Sequence, residues 1–156
     1  MARPRPHFLT EFSRITPQIF IGTNMCCSLH FTKLLKLGVT ADISLEEKRA
    51  EKPENMKVFL WIPTKDHTAP SQEQLDAGVR TLSSVVENGM KAYVHCKHGH
   101  GRAPTLVAAY FIATKQVRPA EAVEMVKKGR PEIHLRASQM RALERYARHT
   151  RKHKRA

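Results

Sequence analysis

The stretch His95-Cys96-Lys97-His98-Gly99-His100-Gly101-Arg102 joins two apolar segments, Lys91 to Val94 before it and Thr105 to Ile112 after it. The first has the length and composition of a buried strand, and the second is apolar enough for a helix covered on every side. Pro104 suits a first helical turn, where its missing N–H leaves no bond unmade. The unit therefore reads as strand, short loop and helix, the repeating piece of a parallel α/β sheet.

Within that loop, Cys96 and Arg102 stand at the two ends of seven residues. A loop this short between strand and helix can turn its N–H groups inward as an anion-binding nest, to which the helix adds its positive end. The same field favours a thiolate, lowering a cysteine pKa from about 8.5 into roughly the 3.5 to 7.5 range. Arg102 offers a planar fork of donors to two oxygens of a phosphate or sulfate. Gly99 and Gly101 let the backbone take positive φ or come close to a ligand. Lys97, His98 and His100 complete the expected phosphate-binding loop.

Cys96 to Arg102 resembles the C-x5-R loop of the cysteine-dependent protein tyrosine phosphatase superfamily, with His95 matching the histidine that precedes it there. Phosphate-ester cleavage also needs a general acid for the leaving oxygen, usually a carboxylic acid. Asp66 lies thirty residues upstream, in the polar, proline-bounded stretch Trp61 to Pro70 that follows Val58-Phe59-Leu60. In spacing and composition this is similar to the mobile acid loop of compact dual-specificity phosphatases.

The resemblance implies two phosphoryl transfers. The Cys96 thiolate attacks phosphorus while Asp66 protonates the leaving oxygen, and Asp66 then activates the water that hydrolyses the phosphocysteine. Arg102 and the N–H groups of residues 97 to 102 hold the equatorial oxygens. No metal or other cofactor is required. His95 is expected to support the loop or the thiolate through hydrogen bonds. One position departs from the family pattern: where most members carry Ser or Thr after the arginine, this chain has Ala103, and Thr105 is the nearest hydroxyl. A glutamine orients the second-step water in larger relatives, and Gln139 is a candidate here, its alternative being a surface helix position.

Other readings of these residues exist. A cysteine after a strand is commonly a small buried hydrophobe, and Asp is common in turns. Cys96, His98 and His100 with His95 suggest zinc, but alternating ligands on one loop rarely complete a tetrahedral site and no second pair follows. Cys26 and Cys27 read as packing residues, with a resolving thiol for oxidised Cys96 as the alternative.

At 156 residues and 41% hydrophobic content, the chain can bury one good core. Strands are expected at Gln18 to Gly22, Val39 to Leu45, Lys57 to Trp61 and Lys91 to His95. Helices are expected at Leu29 to Leu37, from an N-cap at Ser71 followed by Glu73 to about Asn88, after Arg102, at Pro119 to Lys128, and from near Ser138. The fold class is α/β: a single domain with a mostly parallel sheet of about four to five strands and helices on both sides. The catalytic domain is expected over residues 8–148, with 149–156 as a basic C-terminal tail.

Three cysteines without a disulfide framework point to a reducing compartment, and no apolar run of about eighteen residues occurs, so a soluble cytoplasmic protein is expected. The net charge of +13 gathers partly at the C-terminus, in Arg141, Arg145, Arg148, Arg151, Lys152, Lys154 and Arg155. Such a run is either a solvated helix end or a contact for acidic polyanions. The short chain leaves little sequence for a deep cleft, so a shallow site accepting phosphotyrosine, phosphoserine and phosphothreonine of phosphoproteins is the first expectation. Lys97 and His100 match basic positions of phosphoinositide-directed members, and His98 matches members that remove an RNA 5′ phosphate. A weakly catalytic phosphate-binding module is the alternative from another class. A rhodanese-like sulfurtransferase would leave Asp66 unexplained.

Overall fold

The computed structural model describes residues 11–25, 28–48 and 53–155. Along the chain run β1 (Phe12–Arg14), β2 (Ile19–Gly22), α1 (Ser28–Lys36), β3 (Val39–Ser44), β4 (Val58–Trp61), α2 (Gln72–Glu87), β5 (Lys91–His95), α3 (Arg102–Lys115), α4 (Pro119–Gly129) and α5 (Ala137–Arg155). The strands form one sheet in the order β1-β2-β5-β3-β4, parallel except for β1 against β2. The α/β class, the mostly parallel sheet and the single domain are as expected from the sequence.

Strand β5 lies at the centre, between two parallel neighbours, and Ala92 to His95 are all buried. A strand covered on both faces must be apolar nearly throughout, which is why its sequence shows no alternation. On one sheet face, Phe31 and Leu34 of α1 pack with Phe20, Val39 and Tyr93. On the other, α2 to α5 enclose the main core, with Ile21, Ile43 and Val94 facing Leu75, Leu106, Ala122 and Leu143. Helix α3 runs through the middle of this layer and is buried from Arg102 to Ile112. An uninterrupted apolar run is what such a position demands.

Local signals set the ends. Ser71 caps α2, accepting from the Gln74 N–H while the Gln74 side chain accepts from the Ser71 N–H. The reciprocal partner is thus Gln74, three residues on, and not Glu73. Gln18 Nε2 donates to the carbonyls of Val86 and Met90 at 3.0 and 2.9 Å, which ties the end of α2 to β2. Pro119 opens α4. Strand β1 was not anticipated: three residues at a sheet edge are too few to show periodicity. Helix α5 continues without a break past residue 148 to Arg155. Cys26 and Cys27, the expected first domain residues 8–10 and Ala156 lie outside the described residues.

Candidate active site

Cys96 follows the last residue of β5 and is only 3% exposed. Its Sγ accepts a hydrogen bond from the Gly99 N–H at 3.3 Å. Donors into the sulfur stabilise its anion, so the loop supplies part of what a nucleophilic thiolate requires.

The Gly99 N–H turns toward the sulfur, and the loop around it is held from outside. Its carbonyls are engaged one after another by the surrounding structure. His95 O accepts from the Leu45 N–H at 2.8 Å, Lys97 O from Asn24 N–H at 3.4 Å, and His100 O from His134 N–H at 2.8 Å. Arg130 donates through Nε to Gly99 O at 2.9 Å and through Nη2 to His98 O at 3.1 Å. Thr105 takes Gly101 O with both its N–H, at 3.0 Å, and its hydroxyl, at 2.7 Å. A peptide plane whose carbonyl is held on one side presents its N–H to the other, and the consequence is an anion nest.

Arg130 is one residue that sequence reasoning missed. It sits in the segment Gly129 to Pro131, which reads as a helix stop, yet it is 1% exposed and also reaches Ser13 Oγ at 2.9 Å and Glu132 at 3.3 Å. No spacing rule reveals a side chain that works through backbone carbonyls 31 and 32 residues away.

Glycine is required at position 99. Its φ is +69°, and a Cβ there would stand 2.7 Å from Gly22 O. At Gly101 a Cβ would come within 3.0 Å of Gln139 Nε2, so the loop passes directly over that side chain.

Arg102 is buried at the head of α3. Its Nη1 donates to Leu45 O at 3.1 Å and to Thr64 O at 2.9 Å, and its Nη2 lies 3.4 Å from Asp66 Oδ1. Two carbonyls from two loops fix the plane of the guanidinium. Leu45, expected as a strand residue, instead begins the loop after β3, which frees its carbonyl for this bond.

Asp66 is half-exposed, and its Oδ1 accepts from the His67 N–H at 2.9 Å. Its loop is anchored at both sides: Gln74 Nε2 donates to Pro63 O at 3.2 Å, and Gln139 Nε2 to Thr68 O at 3.1 Å. Gln139 is 1% exposed and accepts from the Arg136 N–H at 2.8 Å. The surface position considered for it is therefore incorrect: its place at the first turn of α5 turns it inward, where it holds the Asp66 loop at Thr68 O and lies against Gly101.

Two supporting residues make bonds within the scaffold. The Thr105 hydroxyl is spent on Gly101 O. His95 is fully buried, with Nε2 2.9 Å from Asp42 Oδ1 and its ring stacked on Tyr93 at 5.3 Å, so it braces β5 against β3 beneath the loop. Lys97 points to solvent.

A cavity of about 190 Å³ gathers Cys96, Arg102, Asp66, His98, His100 and Gly101. His67, His134, Arg136 and Gln139 complete its wall. The lining is rich in groups that carry or can take positive charge. Burial, followed by the charges of Arg130 and His98, lowers the pKa of His100 below the ordinary histidine value. Among the described residues, no three His, Cys, Asp or Glu side chains stand together as a metal-ligand set. The arrangement brings a buried sulfur, a loop with its carbonyls engaged, a fixed guanidinium and a carboxyl group to one small cavity.

The profile of the dual specificity phosphatase catalytic domain matches residues 19–149. Dual specificity protein phosphatase 5 of Rattus norvegicus is 32% identical over 120 residues, covering 74% of this chain and 30% of that protein. The phosphatidylglycerophosphate phosphatase PTPMT2 of Arabidopsis thaliana is 35% identical over 123 residues, covering 74% of this chain and 54% of that protein. This chain thus spans about a third to a half of the length of these relatives. Among solved structures, PTPMT1 in complex with PI(5)P superposes with a TM-score of 0.84 and 26% identity, covering 92% of this chain and 98% of that one.

Proposed function

The chain belongs to the dual specificity phosphatase catalytic-domain family, and from that premise we propose that it hydrolyses phosphate monoesters through a phosphocysteine on Cys96, without a metal. The observation that carries this reading is the loop itself: a buried sulfur receiving an N–H, in a loop whose carbonyls from Lys97 to Gly101 each accept a hydrogen bond. In this mechanism the Cys96 thiolate attacks phosphorus and the P–O bond to the leaving group breaks. Asp66 delivers its proton to the departing oxygen, then removes one from the water that cleaves the S–P bond. Arg102 and the loop N–H groups hold the three equatorial oxygens through both steps. Phosphate stays bound to donors that are already in place, so little reorganisation is needed.

For substrate class, phosphotyrosine, phosphoserine and phosphothreonine of proteins come first, in keeping with the small cavity. A second reading, an acidic lipid phosphate such as a phosphoinositide, draws on a specific observation: His98, His100, His134 and Arg136 line the cavity alongside Arg102. Relatives named for phosphatidylglycerophosphate support it too. An RNA 5′ phosphate ranks third. Cys96 must stay a thiol, so a reducing, cytoplasmic setting is part of the proposal. Among the described residues no helix is long and apolar enough to cross a membrane.

The test is hydrolysis of para-nitrophenyl phosphate in EDTA by wild type, Cys96→Ser and Asp66→Ala, followed by a panel of phosphopeptides, phosphoinositides and triphosphate RNA. Metal-independent turnover that Cys96→Ser abolishes is expected. Asp66→Ala should slow poor leaving groups by about 10²-fold or more and good ones less. A folded, reduced wild type that cleaves none of these substrates would leave only a phosphate-binding module.

A further inference from the structure

Helix α5 carries a feature that phosphate chemistry does not use. Arg141, Arg145, Arg148, Lys152 and Arg155 recur at steps of four, three, four and three residues. At about 100° and 1.5 Å per residue, these steps place all five on one stripe about 80° wide and about 21 Å long. All five are exposed, and the stripe points away from Ala142, Leu143, Tyr146 and Ala147, which seat the helix on the core.

Among the described residues, none of the five is ion-paired with a carboxylate. Glu144, about 60° from the midline, is the only acidic residue of the helix. Like charges three and four residues apart work against a helix, and its dipole offsets this only in the last turn. The stripe therefore lowers its own energy when it meets a dense array of negative charge.

The shape of the array narrows the partner. A helix entering a duplex groove meets phosphates along both flanks, whereas five of the seven Lys and Arg side chains of this helix lie on the outermost ridge, with Arg151 and Lys154 off it. Single-stranded nucleic acid calls for stacking platforms, and the one Phe, Tyr or Trp of α5, Tyr146, is 2% exposed, while the His149 and His153 rings are set edge to face on each other. A straight row on a convex ridge matches a plane.

We propose that this stripe is an electrostatic docking surface for an anionic lipid bilayer. No apolar side chain lies on it, so binding is superficial, reversible and weakened by salt. The stripe begins two residues after Gln139, which lines the cavity beside Cys96. A bilayer held there lies about one helix diameter, roughly 10 Å, from the cavity wall at its near end.

The test reads binding, so it stands apart from turnover. The full chain is sedimented with phosphatidylcholine vesicles, with and without phosphatidylglycerol, at low and ~150 mM salt. Wild type should bind only the anionic vesicles and bind them more weakly at the higher salt. The triple variant Arg145→Gln, Arg148→Gln, Lys152→Gln should bind about a hundredfold more weakly, from an effect of about one charge-step per residue. The triple variant Lys115→Gln, Lys127→Gln, Lys128→Gln removes the same charge from exposed sites elsewhere and should stay within about twofold of wild type if position rather than net charge decides. Circular dichroism of both variants establishes that they are folded. Equal loss in the two triple variants, no loss in the stripe variant, or tighter binding to duplex DNA than to anionic vesicles at the same salt would overturn the proposal.

Discussion

At Ala103 the chain offers no hydroxyl to the sulfur, and the Thr105 hydroxyl is held by Gly101 O. In the proposed mechanism the thiolate that leaves phosphocysteine is then stabilised by the Gly99 N–H and the general field of the loop. A hydrogen bond to a charged group contributes about 1.5–3 kcal/mol. Ala103→Ser should accordingly raise kcat about tenfold or more and leave kcat/KM nearly unchanged, since the latter reports steps up to cysteine phosphorylation. Rapid-quench kinetics would show the wild-type burst shrinking in the variant. Arg130 gives a second prediction at this scale. Arg130→Met leaves two loop carbonyls without their donors, and the loop N–H groups lose their fixed direction. With a penalty of about 1–3 kcal/mol per buried unmade bond, kcat/KM should fall by about 10²-fold, with inhibition by vanadate weakened in parallel. Unchanged vanadate affinity would show that the loop keeps its shape alone.

At the scale of elements, the phosphate loop is a connection whose conformation is imposed from several sides. Gly99 meets two demands at once, a positive φ and a close approach to Gly22 O. Gly99→Ala should therefore lower stability by about 1–3 kcal/mol and remove most activity, read as a depressed Tm and a loss of phosphate binding. Much of this element was legible in the sequence. A cysteine and an arginine bounding a loop between strand and helix, with Asp66 on an earlier polar loop, are the pattern the sequence shows, and all three line one cavity. Arg130, His134 and Arg136 were not legible, because they reach the site from the segment between α4 and α5 through contacts that sequence spacing does not encode. Gln139 remained ambiguous for a related reason: one residue of helix phase decides between core and solvent.

For the whole molecule, the parallel pairing and the two-sided helix cover follow from alternating strand and helix signals, while the strand order, which those signals do not encode, places the loop after β5 at the sheet's centre. β1 escaped because an edge strand of three residues is fixed by pairing and not by pattern. The net charge of +13 acts at this scale as well. A cationic molecule with a cation-lined cavity draws anionic substrates in from a distance. Raising ionic strength from ~0.02 to ~0.2 M shortens the screening length about threefold, so kcat/KM for a dianionic substrate should fall several-fold while kcat holds steady. An unchanged kcat/KM would assign the capture step to contacts inside the cavity alone.

The central claim is that phosphate passes through Cys96. Its most direct test is acid quench of wild type during turnover of para-nitrophenyl phosphate, followed by peptide mass spectrometry. The account predicts one phosphoryl group on the peptide that contains Cys96, present during turnover, gone after the substrate is exhausted and absent in Cys96→Ser. Turnover without that adduct, or with the phosphoryl group on another residue, would contradict it.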